Sequence, residues 1–356
     1  MLSEKFWRAL VPALLACTLA LVPPASASDL SDKLAGKTVK LIIAGSPGGS
    51  HDAYGRTLAK HLQLILPQTD FAIQNNRKAG GLLAAQEVQQ ADGSSITLGL
   101  FHPSMLYMQL LDQHENAFNL KDFRWIASLS RDQRFYGVRK GFAPPTLEGV
   151  RTYDGQALAG TSASGATSDI DLLLGSALTG MKLKVVYGFR SSAQRKAIIA
   201  QELDLMVGSL AGNQGLMESG DIIPILKISP DHYPDTFARI PALRDNMQPG
   251  APGVLAELME TINDMGRILA AAPNTSDDDV QALRQAVQQL FYDPDYQREN
   301  EELGLYLSPE SGSAVDDRIK ALLTGRPTLK ASLAKAVECG RRISEAQVDH
   351  CDFANW

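Results

Sequence analysis

Two small-residue loops carry the residue types that bind an anion. The first, GSPGGSHDAYGR over Gly45–Arg56, follows an apolar run and leads into a helical pattern. Glycines there let the backbone approach a ligand closely. Ser50 is placed as the helix cap, and the free N–H groups behind it favour negative charge. Ser46, Pro47, Gly48, Gly49, Ser50 and His51 are the candidate contacts. The spacing is not that of a phosphate-binding Walker loop, because five residues separate Gly49 from Gly55 and Arg56 stands where a lysine is required. The dinucleotide pattern G-x-G-x-x-G is also absent. The second loop, TSASGATSD over Thr161–Asp169, offers the hydroxyls of Thr161, Ser162, Ser164, Thr167 and Ser168, with backbone at Gly165 and Ala166. It is one residue too long for the G-x-S-x-G elbow of an esterase. Hydroxyls and amides without an adjacent base equip a binding site rather than a nucleophile. The plain alternatives are an ordinary strand-to-helix turn and a polar surface loop.

Three side chains, one of them already in the first loop, fall where open α/β sheets bind ligands, just past the carboxyl ends of strands. They are His51, His102 and, in the GFRSS loop, Arg190, whose guanidinium can grip a carboxylate with two parallel bonds. The plain alternative for each is a solvated side chain. The six histidines, at 51, 61, 102, 114, 232 and 350, show no metal-ligand spacing. No metal, no cofactor and no catalytic residue is expected, and the protein is read as a non-enzyme.

The elements that must position these loops alternate strand and helix. Val39–Ala44 reads as a buried strand, followed by a helix with Tyr54, Leu58, Leu62 and Ile65 on one face. Strand 71–74, a loop over 75–81, helix 82–89 and strand 95–100 complete a βαβαβ unit. A similar unit recurs as strand 157–160, helix 170–178, strand 183–187, helix 193–200 and strand 203–207. After Pro224 the pattern is harder to read until an acidic helix start at Asp277–Asp279, with Val280, Leu283, Val287 and Leu290 on one face. The expected class is α/β, in two lobes of similar design with largely parallel sheets.

The chain has 356 residues, a net charge of −6 and 44% hydrophobic residues. That length suits two domains, and the charge argues against a nucleic-acid partner. Its first 27 residues read as a secretory signal: Lys5 and Arg8, an apolar run from Ala9 to Val22, then Ala25-Ser26-Ala27 as the cleavage pattern. The run is too short for a comfortable membrane span. Lipidation at Cys17 is the alternative. Cleavage after Ala27 leaves 329 residues of charge −7 with two cysteines, Cys339 and Cys351. In an oxidising compartment these read as a disulfide, with two unpaired buried thiols as the other reading.

The motifs together resemble the tripartite tricarboxylate transporter receptors, the TctC/Bug family of extracytoplasmic solute receptors. SPGGSHDAYGR, QNNRKAGGLLAAQEV and ADGSSITLGL resemble that family's PGG-x-x-D-x-x-x-R segment, its E/Q-N-x-x-G-A-G-G loop and its DG-T strand. LAGTSASGATSD, QELDLMVGS, FARIPALRDN and FYDPDYQRENEELGLYLSPESG resemble its later segments, in order, from about Lys37 to Leu323. The resemblance implies a two-lobed periplasmic-binding-protein fold of type II-like design, each lobe a mostly parallel sheet flanked by helices. It places residues 28–130 plus 266–356 in one lobe and 131–265 in the other. The implied function is capture of a di- or tricarboxylate, aromatic acids included, for delivery to the large and small membrane subunits of a transporter by a periplasmic monomer. A sensor presenting its closed form to a membrane histidine kinase is the alternative. Ser209, closing the LMVGS strand, joins the implied ligand set. The sequence departs from the family pattern at His51, at Lys78 and at Arg190, and lacks an acidic residue after LMVGS. Added cationic side chains point to a ligand with more than one negative charge.

Overall fold

The computed structural model describes residues 27–111, 117–229, 231, 233–324 and 327–356. The expected leader up to Ser26, and Cys17 within it, lie outside the described residues, as do His114 and His232. In chain order the first elements are α1 (Ala27–Leu34), β1 (Thr38–Ile43), α2 (Ser50–Ile65), β2 (Asp70–Asn75), α3 (Leu82–Gln89), β3 (Ile96–Phe101), α4 (Met105–Leu110) and β4 (Arg124–Ser128). There follow β5 (Arg134–Arg139), α5 (Leu147–Arg151), β6 (Ala157–Gly160), α6 (Thr167–Thr179), β7 (Leu183–Val186), α7 (Ser191–Ile199), β8 (Leu205–Ser209), α8 (Leu210–Glu218) and β9 (Ile222–Lys227). The last are α9 (Gly253–Asp264), β10 (Ile268–Ala271), α10 (Asp277–Phe291), α11 (Pro294–Glu302), β11 (Glu310–Ser311), α12 (Gly312–Thr324) and α13 (Pro327–Ser344).

The strands form two sheets, ordered β11-β4-β10-β3-β1-β2 and β7-β6-β8-β5-β9. The protein is a two-lobed α/β fold. Its sheets are mixed rather than mostly parallel in their pairing. β1 pairs in parallel with β2 and β3, and β6 with β7 and β8, but β10 lies antiparallel between β3 and β4, and β5 antiparallel between β8 and β9. The reason is topological. β5 and β10 are the first strands after the chain passes from one sheet to the other, and each enters its new sheet head to tail with its neighbours. All six positions of β3 are buried, as expected of a strand covered on both faces. On α2 the side chains of Tyr54, Leu58 and Leu62 are buried as the spacing predicts, while Ile65 is half-buried and Leu66 closes the core.

The passages between sheets lie side by side. Leu129 donates its N–H to the Arg267 carbonyl at 2.8 Å, and Asp132 donates to the Asn263 carbonyl at 2.8 Å. Gly266 (φ +51°) permits this approach, since a Cβ there would sit 1.7 Å from the Ser130 carbonyl oxygen.

Within the segment 266–356, α13 packs along α6 of the second sheet. Gly340 brings the two helix backbones together, with the Leu173 carbonyl 2.2 Å from where a Cβ would stand. Val185 N–H donates to Ser344 Oγ at 2.9 Å, and Gln156 Nε2 to the Ile343 carbonyl. The apolar face of α13, with Leu333, Ala336 and Val337, finds its uncovered partner on α6, and sequence order does not reveal that choice. Cys339 and Cys351 form a disulfide with Cα atoms 6.0 Å apart, fastening the tail to α13.

Candidate functional site

The two loops build the same device twice. At the first, Gly48 (φ +73°) turns the chain, Gly49 stands in extended backbone as the N-cap of α2, and Asp52 reaches back to accept the Gly48 N–H at 2.8 Å. At the second, Gly165 (φ +77°) turns the chain, Ala166 is the N-cap of α6, and Asp169 accepts the Gly165 N–H at 2.7 Å. Each carboxylate sits at the third helical position and ties down its own loop, reaching one residue further back than the return bond of a capping box. Gly49 rather than Ser50 is therefore the cap, and the helix starts one residue earlier than the sequence suggests. Neither N-cap supplies a side-chain acceptor. The first-turn amides thus keep their capacity to hold an anion.

Asp52 is well secured. Arg56 Nε donates to it at 2.8 Å and Asn75 Nδ2 at 2.9 Å. Burial pushes its carboxyl up, but these bonds and the Gly48 N–H outweigh that and hold it below the usual range. Asp169 is more enclosed, and among the described residues no cation is hydrogen-bonded to it. Burial raises its carboxyl, only partly offset by Gly165 N–H and by the Tyr187 hydroxyl at 3.2 Å.

The loops meet through histidine. His51 and His102 stack with ring centroids 5.5 Å apart, and His102 Nδ1 lies 3.3 Å from Thr167 Oγ1 in the first turn of α6. His102 Nε2 is 3.0 Å from Asp132 Oδ2. Asp132, 3% exposed, also meets Arg267 at 3.3 Å and Arg134 at 3.5 Å. Burial alone would raise its carboxyl. Arg267, the His102 bond and Arg134 prevail and hold it far below the usual range. Arg134 Nε in turn donates to Asp171 at 2.8 Å, and Tyr107 Oη lies 3.4 Å from the same carboxylate. Arg267 also reaches Ser50 Oγ at 3.4 Å and stands over the Tyr54 ring at 4.7 Å.

Thr167, His102 and Asp132 have the order of a hydrolytic relay, a nucleophile–base pair that sequence spacing does not reveal. Their chemistry is different. An ionised Asp132 takes the Nε2 hydrogen, so Nδ1 is an acceptor, and it receives Ser104 N–H at 3.4 Å as well as the threonine hydroxyl. A lone pair shared between two donors holds two segments together and is a poor base.

The remaining expected residues sort by role. Ser46, Pro47, Gly48, Ser162 and Ser164 are exposed at the loop tips, while Ser50, His51, Thr167 and Ser168 are half-buried behind them. Thr161 is fully buried and bonds Ser168 Oγ at 2.9 Å, so it braces the loop. Arg190 is exposed at the N-cap of α7, and its loop docks on the second loop through Gly188 N–H to Ser162 O at 3.2 Å and Phe189 N–H to Thr161 O at 2.9 Å. Ser209 caps α8, accepting Gly212 N–H at 3.2 Å. Sequence reasoning missed Asp132, Arg134, Asp171 and Arg267. For Asp132, Arg134 and Arg267 the available signal was their position beside the passages between sheets; for Asp171 it was a charge inside the otherwise apolar run of α6.

Among the described residues no group of His, Cys, Asp or Glu is arranged to hold a metal, and no helix is long and apolar enough to cross a membrane. No protein-family model matches the chain, and no curated protein matches it. Solved structures do. A TctC solute-binding protein from Polaromonas superposes with a TM-score of 0.61 at 17% identity, over 84% of this chain and 98% of that one. A Rhodopseudomonas palustris protein solved with adipate gives 0.65 at 19% identity, over 83% and 97%. MatC from the same organism, with bound malate, gives 0.60 at 20% identity, over 88% and 99%. The chain shares their fold: it is that of periplasmic binding proteins.

Proposed function

We propose that the protein is a periplasmic solute receptor of the TctC/Bug type that captures an organic carboxylate between its lobes. The observation that carries this reading is the repeated device: two helix starts without side-chain caps, each behind a positive-φ glycine and a clamping aspartate, joined through His102 and Thr167. One carboxylate accepts from the first-turn amides of α2. The other end of the ligand meets the Ser162–Ser168 loop, with Arg190 at its rim. Local amides and dipoles stabilise an anion here although the chain is acidic overall. The adipate and malate of the fold neighbours belong to the same chemical class. Residues 129–133 and 265–267 serve as the hinge, and closure of the lobes creates the surface that the membrane subunits of a transporter recognise. The leader directs the chain to the periplasm, where it acts as a monomer and not as an enzyme.

A thermal-shift and calorimetry panel tests this: aliphatic and aromatic di- and tricarboxylates, set against amines and neutral sugars. A cognate acid at about 100 times its dissociation constant stabilises the protein by about 2.7 kcal/mol. Stabilisation by amines or sugars alone would sink the anion reading.

A further inference from the structure

The first lobe holds a cavity of about 580 Å³ that shares no residue with the candidate site. It lies at the β11–β4 edge of the sheet, between α10 and the turn from β11 into α12. Its size falls within the roughly 300–1,000 Å³ of small-molecule sites. The floor is apolar, Ile126 and Ala127 of β4, each 2% exposed. One wall is a single stripe along α10 and its C-cap: Gln281, Gln285, Gln288 and Tyr292, at helical steps of four, three and four. The facing wall carries the hydroxyls of Ser311 and Ser313, which bond each other at 3.0 Å.

The charged side chains of this lining are engaged elsewhere. Arg284 turns to the Trp125 carbonyl, which accepts its Nε and Nη2 hydrogens at 2.9 and 2.7 Å, and Glu310 pairs with Arg318 at 2.8 Å. Ser311 Oγ accepts Ala314 N–H at 3.3 Å in the first turn of α12. An acid would meet a guanidinium already held by a carbonyl, and an amine a carboxylate already paired. What stands unused is neutral. Gln285 Oε1 is out of contact with solvent and has no hydrogen-bond partner among the described residues, while Gln281 and Gln288 are exposed along the groove. Primary amides and hydroxyls both donate and accept, so their match is a ligand whose groups do the same. Tyr292, 77% exposed, adds an aromatic face for a surface of C–H bonds. An extended peptide would also match amides, but β11 offers it two residues of edge before α12 begins.

We propose that this cavity is a second binding site, for a neutral saccharide, either free or at the end of a glycan chain. The glutamine amides and serine hydroxyls bond its hydroxyls, and Tyr292 covers one face of the ring.

Calorimetry on the full mature chain with glucose, galactose, N-acetylglucosamine, maltose and trehalose tests it, with glucuronate and glucosamine as charged counterparts. The expected result is millimolar or tighter binding of at least one neutral sugar, with the charged counterparts binding no tighter. Tyr292→Ala and Gln285→Leu should each weaken that sugar about 3- to 10-fold. Tyr292 is exposed, so its variant keeps the fold; should Gln285→Leu not fold, Gln288→Ala takes its place. Sugar binding that Tyr292→Ala weakens belongs to this cavity and not to the space between the lobes, which keeps the outcome apart from the carboxylate panel. Co-sedimentation with purified murein sacculi, wild type against Tyr292→Ala, separates a wall glycan from a free solute, and either supports the site. Binding of neither sugars nor sacculi would overturn the proposal. So would affinities unchanged in both variants, or tighter binding of glucuronate or glucosamine than of glucose and N-acetylglucosamine.

Discussion

The state of His51 has a consequence for stability that can be worked out. The ring is half-buried, with Nε2 out of contact with solvent, and its proton affinity falls from the ordinary 6.5 to about 3. Between those two pH values the unfolded chain binds a proton that the native protein does not, so stability falls as pH is lowered through that window. At pH 5 the unfolded imidazole is almost fully protonated, and RT ln(1 + 10^1.5) puts the loss at about 2 kcal/mol relative to pH 8. That figure is set by the unfolded value and changes little as long as the native value stays below about 4. Urea unfolding at pH 8, 7, 6 and 5, on the wild type and on His51→Asn, isolates the contribution, because carboxylates and distant histidines titrate alike in both. The wild type should lose about 2 kcal/mol more than the variant across that range. Parallel pH profiles would refute the reasoning. So would an NMR titration of the His51 ring with a midpoint between 6 and 7.

Three other perturbations have defined outcomes. Asp52→Ala leaves Gly48 N–H and Arg56 without their acceptor, and should cost about 1–3 kcal/mol at pH 7 by chemical denaturation while weakening ligand binding. Because the folded carboxyl is held low, that deficit should be full above pH 4 and shrink as pH falls through the native value. Gly266→Ala places a methyl against the Ser130 carbonyl where the two passages cross, at a positive φ. Destabilisation above about 2 kcal/mol is expected, read as a drop in melting temperature, and an unchanged temperature would refute the tight crossing. Reducing the Cys339–Cys351 bridge, which closes a separation of 12 residues, should cost about 2–3 kcal/mol, and the double serine variant should show the same loss without reductant.

What the sequence revealed followed from periodicity and turn chemistry. β1, α2, β3, β6 and α10 carry long apolar patterns or clear starts, and their residues lie where the pattern puts them. β8 starts two residues later than its apolar run, because Leu203 packs into the second sheet's core before the strand begins and Asp204 pairs with Arg139 at 2.9 Å. β4, β5 and β10 were not legible. RWIAS and RFYGVR begin with arginines, and ILAA has four residues. These strands are stabilised by the neighbours they join, and local propensity contributes little to them.

The candidate site divides along the same line. Its loops are local structures, so GSPGGSHD and SASGATSD show their glycine and aspartate four residues apart, and the matching clamps at Asp52 and Asp169 could be read as a repeat before any coordinates. Its electrostatics are not local. His51 is an ordinary loop histidine in the sequence, and what holds its imidazole neutral is burial first, then the charge of Arg267, 216 positions away, and the stacked His102. Of the added cations of the sequence, His51 is held uncharged by its surroundings, while Arg190 stands exposed at the rim of the second loop; the deeper Arg267, which the sequence reading missed, is offset by Asp132. Charge counted along a chain says little about a buried site, because each charge there is either paired or abolished by its surroundings.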